Sequence, residues 1–135
     1  MQIESPPPGR LVDLSPDECW ELASSRPVGR LAWTGPRGPV VVPVNFVVDG
    51  RSVHIRTAAY SEAARQCDDS PVAFEVDSFD QTEHSGWSVL MRGHAHVDFD
   101  GSAGADEPEV WAPGSRHLRL RIEVEEITGR RLHAG

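Results

Sequence analysis

The chain of 135 residues contains no lysine, and all 13 of its basic residues are arginine. That excludes Schiff-base chemistry and any lysine contact to a phosphate, and it leaves anion recognition to guanidinium forks. A coding bias toward arginine accounts for the same composition. Cysteine is scarce: Cys19 and Cys67 fall in two different predicted helices without metal-ligand spacing, and are read as reduced thiols rather than a disulfide. Long apolar runs are missing as well, and the N-terminus lacks the charged and apolar regions of a signal peptide. The expectation is a cytoplasmic protein with no membrane partner. The net charge of −8 argues against attraction to nucleic acid or acidic membranes.

The length suits one domain with a core of its own. Ser5-Pro6-Pro7-Pro8-Gly9 continues neither a helix nor a ladder, so residues 1–10 are expected to form a flexible, Pro-rich arm and 11–135 the single domain. Ser15-Pro16-Asp17-Glu18 carries a full helix start: hydroxyl N-cap, Pro at the first position, Glu at N3 and Leu14 as a staple. Arg26-Pro27 ends that helix. Val28 to Thr34 reads as a strand, Gly35-Pro36-Arg37-Gly38 as a turn, and Pro39 to Val48 as a second strand. A short helix over Ser61 to Cys67 is stopped by Asp68-Asp69-Ser70-Pro71. Strands follow at Pro71 to Asp77 and Gly86 to Val97, with Gly93 marking a bulge or bend. Asp98 to Glu109 reads as a flexible acidic loop. In the last strand Leu118, Leu120, Ile122 and Val124 alternate with Arg119, Arg121, Glu123 and Glu125, one face buried and one charged. About six strands with only short helices give a mainly β, antiparallel small barrel.

Asp49-Gly50 lies between two Val-rich arms and predicts a hairpin with a type I′ turn. The second arm ends in Arg56-Thr57. A guanidinium fork beside a hydroxyl there can bind phosphate oxygens, and the plainer reading is a solvated strand-end arginine.

Taken in order, Val28-Gly29-Arg30-Leu31, Pro43-Val44-Asn45-Phe46, Ile55-Arg56-Thr57, Val72 to Asp77, Gly86-Trp87-Ser88-Val89, Arg92-Gly93 and Ile127-Thr128-Gly129-Arg130-Arg131 carry a resemblance. Over roughly residues 15 to 132 the chain resembles the pyridoxamine 5′-phosphate oxidase-like, FMN-binding split β-barrel proteins of an actinobacterial type. The resemblance implies a homodimer with two flavin sites at the subunit interface. It places the FMN phosphate at Arg56, Thr57 and Ser61, the ring along Val44 and Asn45, and Trp87 and Ser88 as contributions from the partner subunit. Trp87 reads equally well as a core aromatic.

Two positions depart from the family pattern. Tyr60-Ser61-Glu62 stands where relatives read Gly-Thr-Lys, so a carboxylate replaces an ammonium beside the phosphate, which costs about 1 kcal/mol or more. Arg65, one turn on, is a replacement cation. Leu118 stands where relatives tend to have Trp. His94 and His96 share a strand face, but no third ligand accompanies them at a recognisable spacing, and they are read as exposed histidines with no metal. Three functions remain open: an FMN-dependent oxidoreductase with no catalytic side chain of its own, a deazaflavin-dependent reductase, and a non-catalytic binding or regulatory barrel that has lost its flavin through Glu62. The chain is short for true pyridoxamine 5′-phosphate oxidase activity.

Overall fold

The computed structural model describes residues 9–58, 61–98 and 117–135. Its elements are β1 (Arg10–Asp13), α1 (Pro16–Ser24), β2 (Val28–Gly35), β3 (Gly38–Asp49), β4 (Ser52–Ala58), α2 (Glu62–Cys67), β5 (Ser70–Asp80), β6 (Ser85–Asp98) and β7 (His117–His133). All pairings are antiparallel, in the order β1-β7-β4-β3-β2-β5-β6, and β6 pairs again with β7. That last pairing closes β2 to β7 into a ring, the mainly β barrel expected from the strand count.

β7 is the seam of the ring. β6 runs along one edge of it, from Gly86↔Leu132 to Asp98↔Arg119. β4 and then β1 occupy the other edge, β4 from Ser52↔Glu123 to Ala58↔His117 and β1 from Arg10↔His133 to Asp13↔Arg130. The strand read at 118–124 therefore runs on through 17 residues, and its alternation changes phase at the exposed Glu125 and Glu126, so that buried Val124 is followed by half-buried Ile127 as the next inward position. β1 was missed because its edge pairing is set by β7, not by any period in Arg10-Leu11-Val12-Asp13; Arg10 belongs to this strand rather than to the predicted arm. Residues 1–8 and 99–109, where the arm and most of the acidic loop were expected, lie outside the described residues.

The interior is built from alternate strand positions. Leu31, Val53, Ile55, Phe74, Val76, Val89, Met91 and Leu120 are fully buried, and Phe46 meets Phe74 edge to face at 4.9 Å. Burial of such side chains at about 1.5–3 kcal/mol each outweighs any single polar contact on the surface. α1 begins as expected, with Ser15 Oγ accepting from Glu18 N at 3.2 Å and Glu18 Oε1 accepting from Ser15 N at 3.0 Å. These bonds hold the Glu18 carboxyl below its usual range. The N–H of Leu14 donates to Gly129 O at 2.9 Å, tying the helix entry to the seam. α2 is held to β2 by Trp33 Nε1 donating to Gln66 Oε1 at 2.7 Å.

Two glycines have steric reasons for their place. The β3–β4 loop is Gly50-Arg51, closed by Asp49↔Ser52, and only Gly50 has a positive φ, of 61°. A single positive φ at the first central position is the requirement of a type II′ turn, which corrects the type I′ expectation placed on Asp49-Gly50. The register slips between Arg92 and Gly93, where one step on β6 meets two on β7, from Glu126 to Val124, so a bulge lies where Gly93 was expected to mark one, but its extra residue is Glu125 on β7. A Cβ at Gly93 would lie 2.2 Å from Glu123 O, a backbone atom on the facing strand.

Gly93→Ala is therefore expected to lower unfolding stability by roughly 1–3 kcal/mol through backbone displacement at the seam. Ser15→Ala, which removes only the cap, is expected to cost about 1 kcal/mol. Urea midpoints of the two variants check the order.

Candidate functional site

The end of β4 gathers the residues singled out for anion binding. Thr57 Oγ1 lies 2.8 Å from Ser61 Oγ, and Ser61 is the N-cap of α2, its hydroxyl accepting from Ala64 N at 3.1 Å. The N–H of Ser61 donates to Ala58 O at 3.0 Å, so the chain turns directly from strand into helix. Strand alternation sends Arg56 to the face opposite Thr57. An anion touched by both must therefore sit off the end of β4 rather than over either face of the sheet. Glu62 is exposed at the first position of α2, and Arg65 is also exposed.

The face that carries Arg56 sets three arginines among histidines and two carboxylates. Arg56 is in register with Arg119, which is in register with Asp98 on its other side. Two residues further along, His54, Arg121 and His96 form the next row, and Ser52, Glu123 and His94 the one after. Arg119 and His54 are both buried, at 5% exposure each. Burial, with Arg119 second, lowers the His54 pKa and keeps the imidazole neutral. Its Nδ1 is a buried atom without a hydrogen-bond partner. Arg119 is the residue that sequence reading missed here. The signal was present in its alternation with Leu118 and Leu120, but its position beside Arg56 depends on the β4–β7 register.

Val44 and Asn45 reach the same end of the barrel, since they follow the Phe46↔Ile55 pair on β3 as Arg56 and Thr57 follow it on β4. Val44 packs against the core, and Asn45 Nδ2 donates to Pro27 O at 3.5 Å. Trp87 and Ser88 lie elsewhere. They pair with Arg131 and Arg130 near the far end of β7, ten residues of β6 before Asp98. At about 3.3 Å per residue the path along the strand to the Arg56 row is on the order of 30 Å. Trp87 is part of the core, 7% exposed, with an edge at a cavity of 470 Å³ lined by Ser78, Gly86 and Arg131. Ser88 lies on the opposite face, beside Asp13 and Arg130. A single chain thus brings together Val44, Asn45, Arg56, Thr57 and Ser61, and holds Trp87 and Ser88 apart from them.

A second polar group sits on the outer face of β2 and β5. Arg30 Nη1 donates to Glu75 Oε1 and Asp77 Oδ2, each at 2.8 Å, in a 340 Å³ groove floored by Ala32, Ala73, Val41 and Leu90. Desolvation, then the neighbouring Asp77, outweigh Arg30 and push the Glu75 carboxyl up to about 7. The two cysteines take no part. Both are buried and free, and burial raises the Cys67 thiol to about 11.

The described strands thus close into an antiparallel barrel, with two hydroxyls and a guanidinium at the turn from β4 into α2. Residues 15–131 match the family model described as pyridoxamine 5′-phosphate oxidase, and the chain belongs to that family. It is 34% identical over 132 residues to the uncharacterized protein Rv0080 of Mycobacterium tuberculosis, covering 92% of this chain and 87% of that one. The structure of an FAD binding protein from Mycobacterium smegmatis superposes with a TM-score of 0.73 at 32% identity, covering 90% of this chain and 98% of the other. A conserved protein of unknown function from Corynebacterium diphtheriae gives 0.71 at 31%, covering 89% and 96%.

The raised Glu75 pKa makes stability depend on pH. Between 4.5 and about 7 the folded chain holds a proton that the unfolded chain has released, so this group's contribution is full below 4.5 and declines as pH rises through 7. Glu75→Gln is expected to remove that decline, gaining on the wild type as pH rises. Urea unfolding of both proteins at the two ends of the window checks it.

Proposed function

We propose that this chain is a flavin-dependent oxidoreductase that binds FMN with its phosphate off the end of β4. The observation that carries the reading is the pair of hydroxyls, Thr57 and Ser61, 2.8 Å apart beside the strand-end Arg56. These donors suit a phosphate: two hydroxyls now bonded to each other can turn to its oxygens, and a guanidinium adds charge-assisted bonds. Arg119, in register with Arg56, raises the local positive potential in a chain without lysine. Glu62 opposes it, but the carboxylate is exposed and acts through water of high dielectric, so its repulsion stays near 1 kcal/mol, about the value for two charges 4 Å apart in water. The likeness to a protein called FAD binding supports a flavin, since FAD shares its ring, ribityl chain and first phosphate with FMN.

The flavin would supply the hydride chemistry. The protein's own groups bind and orient: Arg56, Thr57 and Ser61 hold the phosphate, and Val44 and Asn45 line the approach to it. The separation of Trp87 and Ser88 from this end supports a homodimer, because one flavin reached by both sets needs them from two protomers, and a twofold pairing is the commonest way to supply them. The groove of Ala32, Val41, Ala73 and Leu90, with Val41 61% exposed, offers apolar surface for such a pairing. A deazaflavin with the same phosphate would meet the same donors.

Titration of the purified chain with FMN, FAD and a deazaflavin, followed by fluorescence, tests the reading. FMN is expected to saturate, Arg56→Ala to weaken it at least ten-fold, and Glu62→Lys to tighten it about ten-fold, the factor that corresponds to about 1.4 kcal/mol. Tight binding of deazaflavin alone would replace FMN as cofactor. No saturable binding of any of the three would overturn the proposal and leave a barrel whose flavin site Glu62 has disabled.

A further inference from the structure

Asp69, His94 and His96 form a cluster that the flavin reading does not use. Their ligand atoms lie within 4.8 Å of one another, and Asp69 Oδ1 is already 2.8 Å from His94 Nε2. The sequence showed His94 and His96 on one strand face and offered no third ligand. The third arrives from the α2–β5 junction, 25 residues earlier in the chain. No spacing rule reports it, because the β5–β6 pairing alone brings the junction to the end of β6.

The three side chains stand on backbone that is fixed from several sides. His94 is in register with Pro71 and Ala95 with Ser70, which sets the junction against β6. Asp68, the neighbour of Asp69, accepts the N–H of Val97 through its carboxylate at 2.8 Å, next to His96. Ser70 Oγ donates to Asp68 O at 3.0 Å and closes the junction on itself. Asp69 takes a positive φ of 51°, a conformation that aspartate tolerates better than most residues. The two imidazole rings have centroids 4.9 Å apart and are tilted by 50°, and one nitrogen of each lies within 4.8 Å of the other and of the Asp69 carboxylate.

We infer that Asp69, His94 and His96 form a binding site for a divalent cation of the zinc class, with the fourth position left to water. Two imidazoles and one carboxylate suit a borderline cation and leave the open position of a three-ligand site. Tetrahedral ligation at about 2.1 Å places ligand atoms roughly 3.4 Å apart. The 2.8 Å pair must open slightly and the widest separation, at most 4.8 Å, must close by up to about 1.4 Å, both within the reach of side-chain rotation. Binding replaces the Asp69–His94 hydrogen bond by two bonds to the metal, and the His94 proton then resides on Nδ1. Glu123, in register with His94, faces the site and carries a further carboxylate, which Arg121 now holds. Arg121 is in register with His96 and is the one cation among these neighbours that opposes metal entry. The site lies on the same face as Arg56, on the order of 12 Å away by strand spacings, and stands independently of the flavin proposal.

Isothermal titration of the full chain, without a histidine tag, with zinc alone tests the inference. Saturable uptake of one zinc per chain is expected. His94→Ala, His96→Ala and Asp69→Asn are each expected to weaken it at least ten-fold, and His133→Ala, at the end of β7, to leave it unchanged. Cobalt substituted for zinc is expected to show the visible absorption of a four-coordinate nitrogen and oxygen site, lost in the same variants. If a histidine variant fails to fold, Asp69→Asn decides, since the exposed residue changes by one atom type only. Failure of the wild type to take up zinc, or uptake that survives in Asp69→Asn and in a folded His94→Ala/His96→Ala double variant, would overturn the inference.

Discussion

Closure of the sheet through β7 is the constraint on which the rest of this protein depends. A strand with β6 on one edge and β4 followed by β1 on the other leaves no free edge along most of its length. The ring so formed turns alternate residues of six strands inward, and the core from Leu31 to Val124 is the result. Because the side-chain period of a strand is two, the same closure fixes what faces outward. A slip of one residue between β4 and β7 would exchange Arg119 and Arg121 for Leu120 and Ile122, exposing the core and burying the charges. The bulge at Glu125 of β7, opposite Arg92 and Gly93, absorbs the register shift that this long pairing contains.

Both proposed sites lie where strands end or turn, where neighbouring residues escape the alternation. Thr57 and Arg56 point to opposite faces, so an anion that meets both must sit past the end of β4, where Ser61 begins the next helix. Asp69 reaches His94 from the other end of the same short helix, at the junction into β5. α2 is therefore more than a connection. Its N-cap belongs to the proposed phosphate site and its C-terminal exit to the histidine pair, while buried Ala63, Ala64 and Cys67 hold it to the barrel. The basic rows of β4 and β7 lie between the two ends of this arrangement. With arginine as the only long cation, they provide fork-shaped donors that cannot lose their charge, whereas buried His54 remains neutral.

Much of the fold was legible because local rules and tertiary packing agree. The capping box at Ser15 and Glu18, the breaks at Pro27 and Ser70-Pro71, the strand of alternating Leu, Ile and Val after residue 117 and the bulge glycine all follow from backbone sterics or periodicity, and the structure contains them. The turn at Gly50 shows the limit. The dipeptide announces a hairpin, but whether Asp49-Gly50 or Gly50-Arg51 forms the two-residue loop depends on the pairing of Asp49 with Ser52. β1 was illegible because four residues without a buried face carry no period.

The candidate sites divide in the same way. The residue types were decided by the sequence alone: Arg56 beside Thr57, a hydroxyl at Ser61, a carboxylate at Glu62, two histidines one residue apart, and no lysine anywhere. Tertiary structure decided which of them meet. It placed Ser61 against Thr57, set Arg119 beside Arg56, put Trp87 in the core and far from both, paired Arg30 with Glu75 and Asp77, and carried Asp69 to His94. The reason is that strand register converts separations of tens of residues into contacts of a few ångströms, and register is set by burial across the whole barrel rather than by any segment within it.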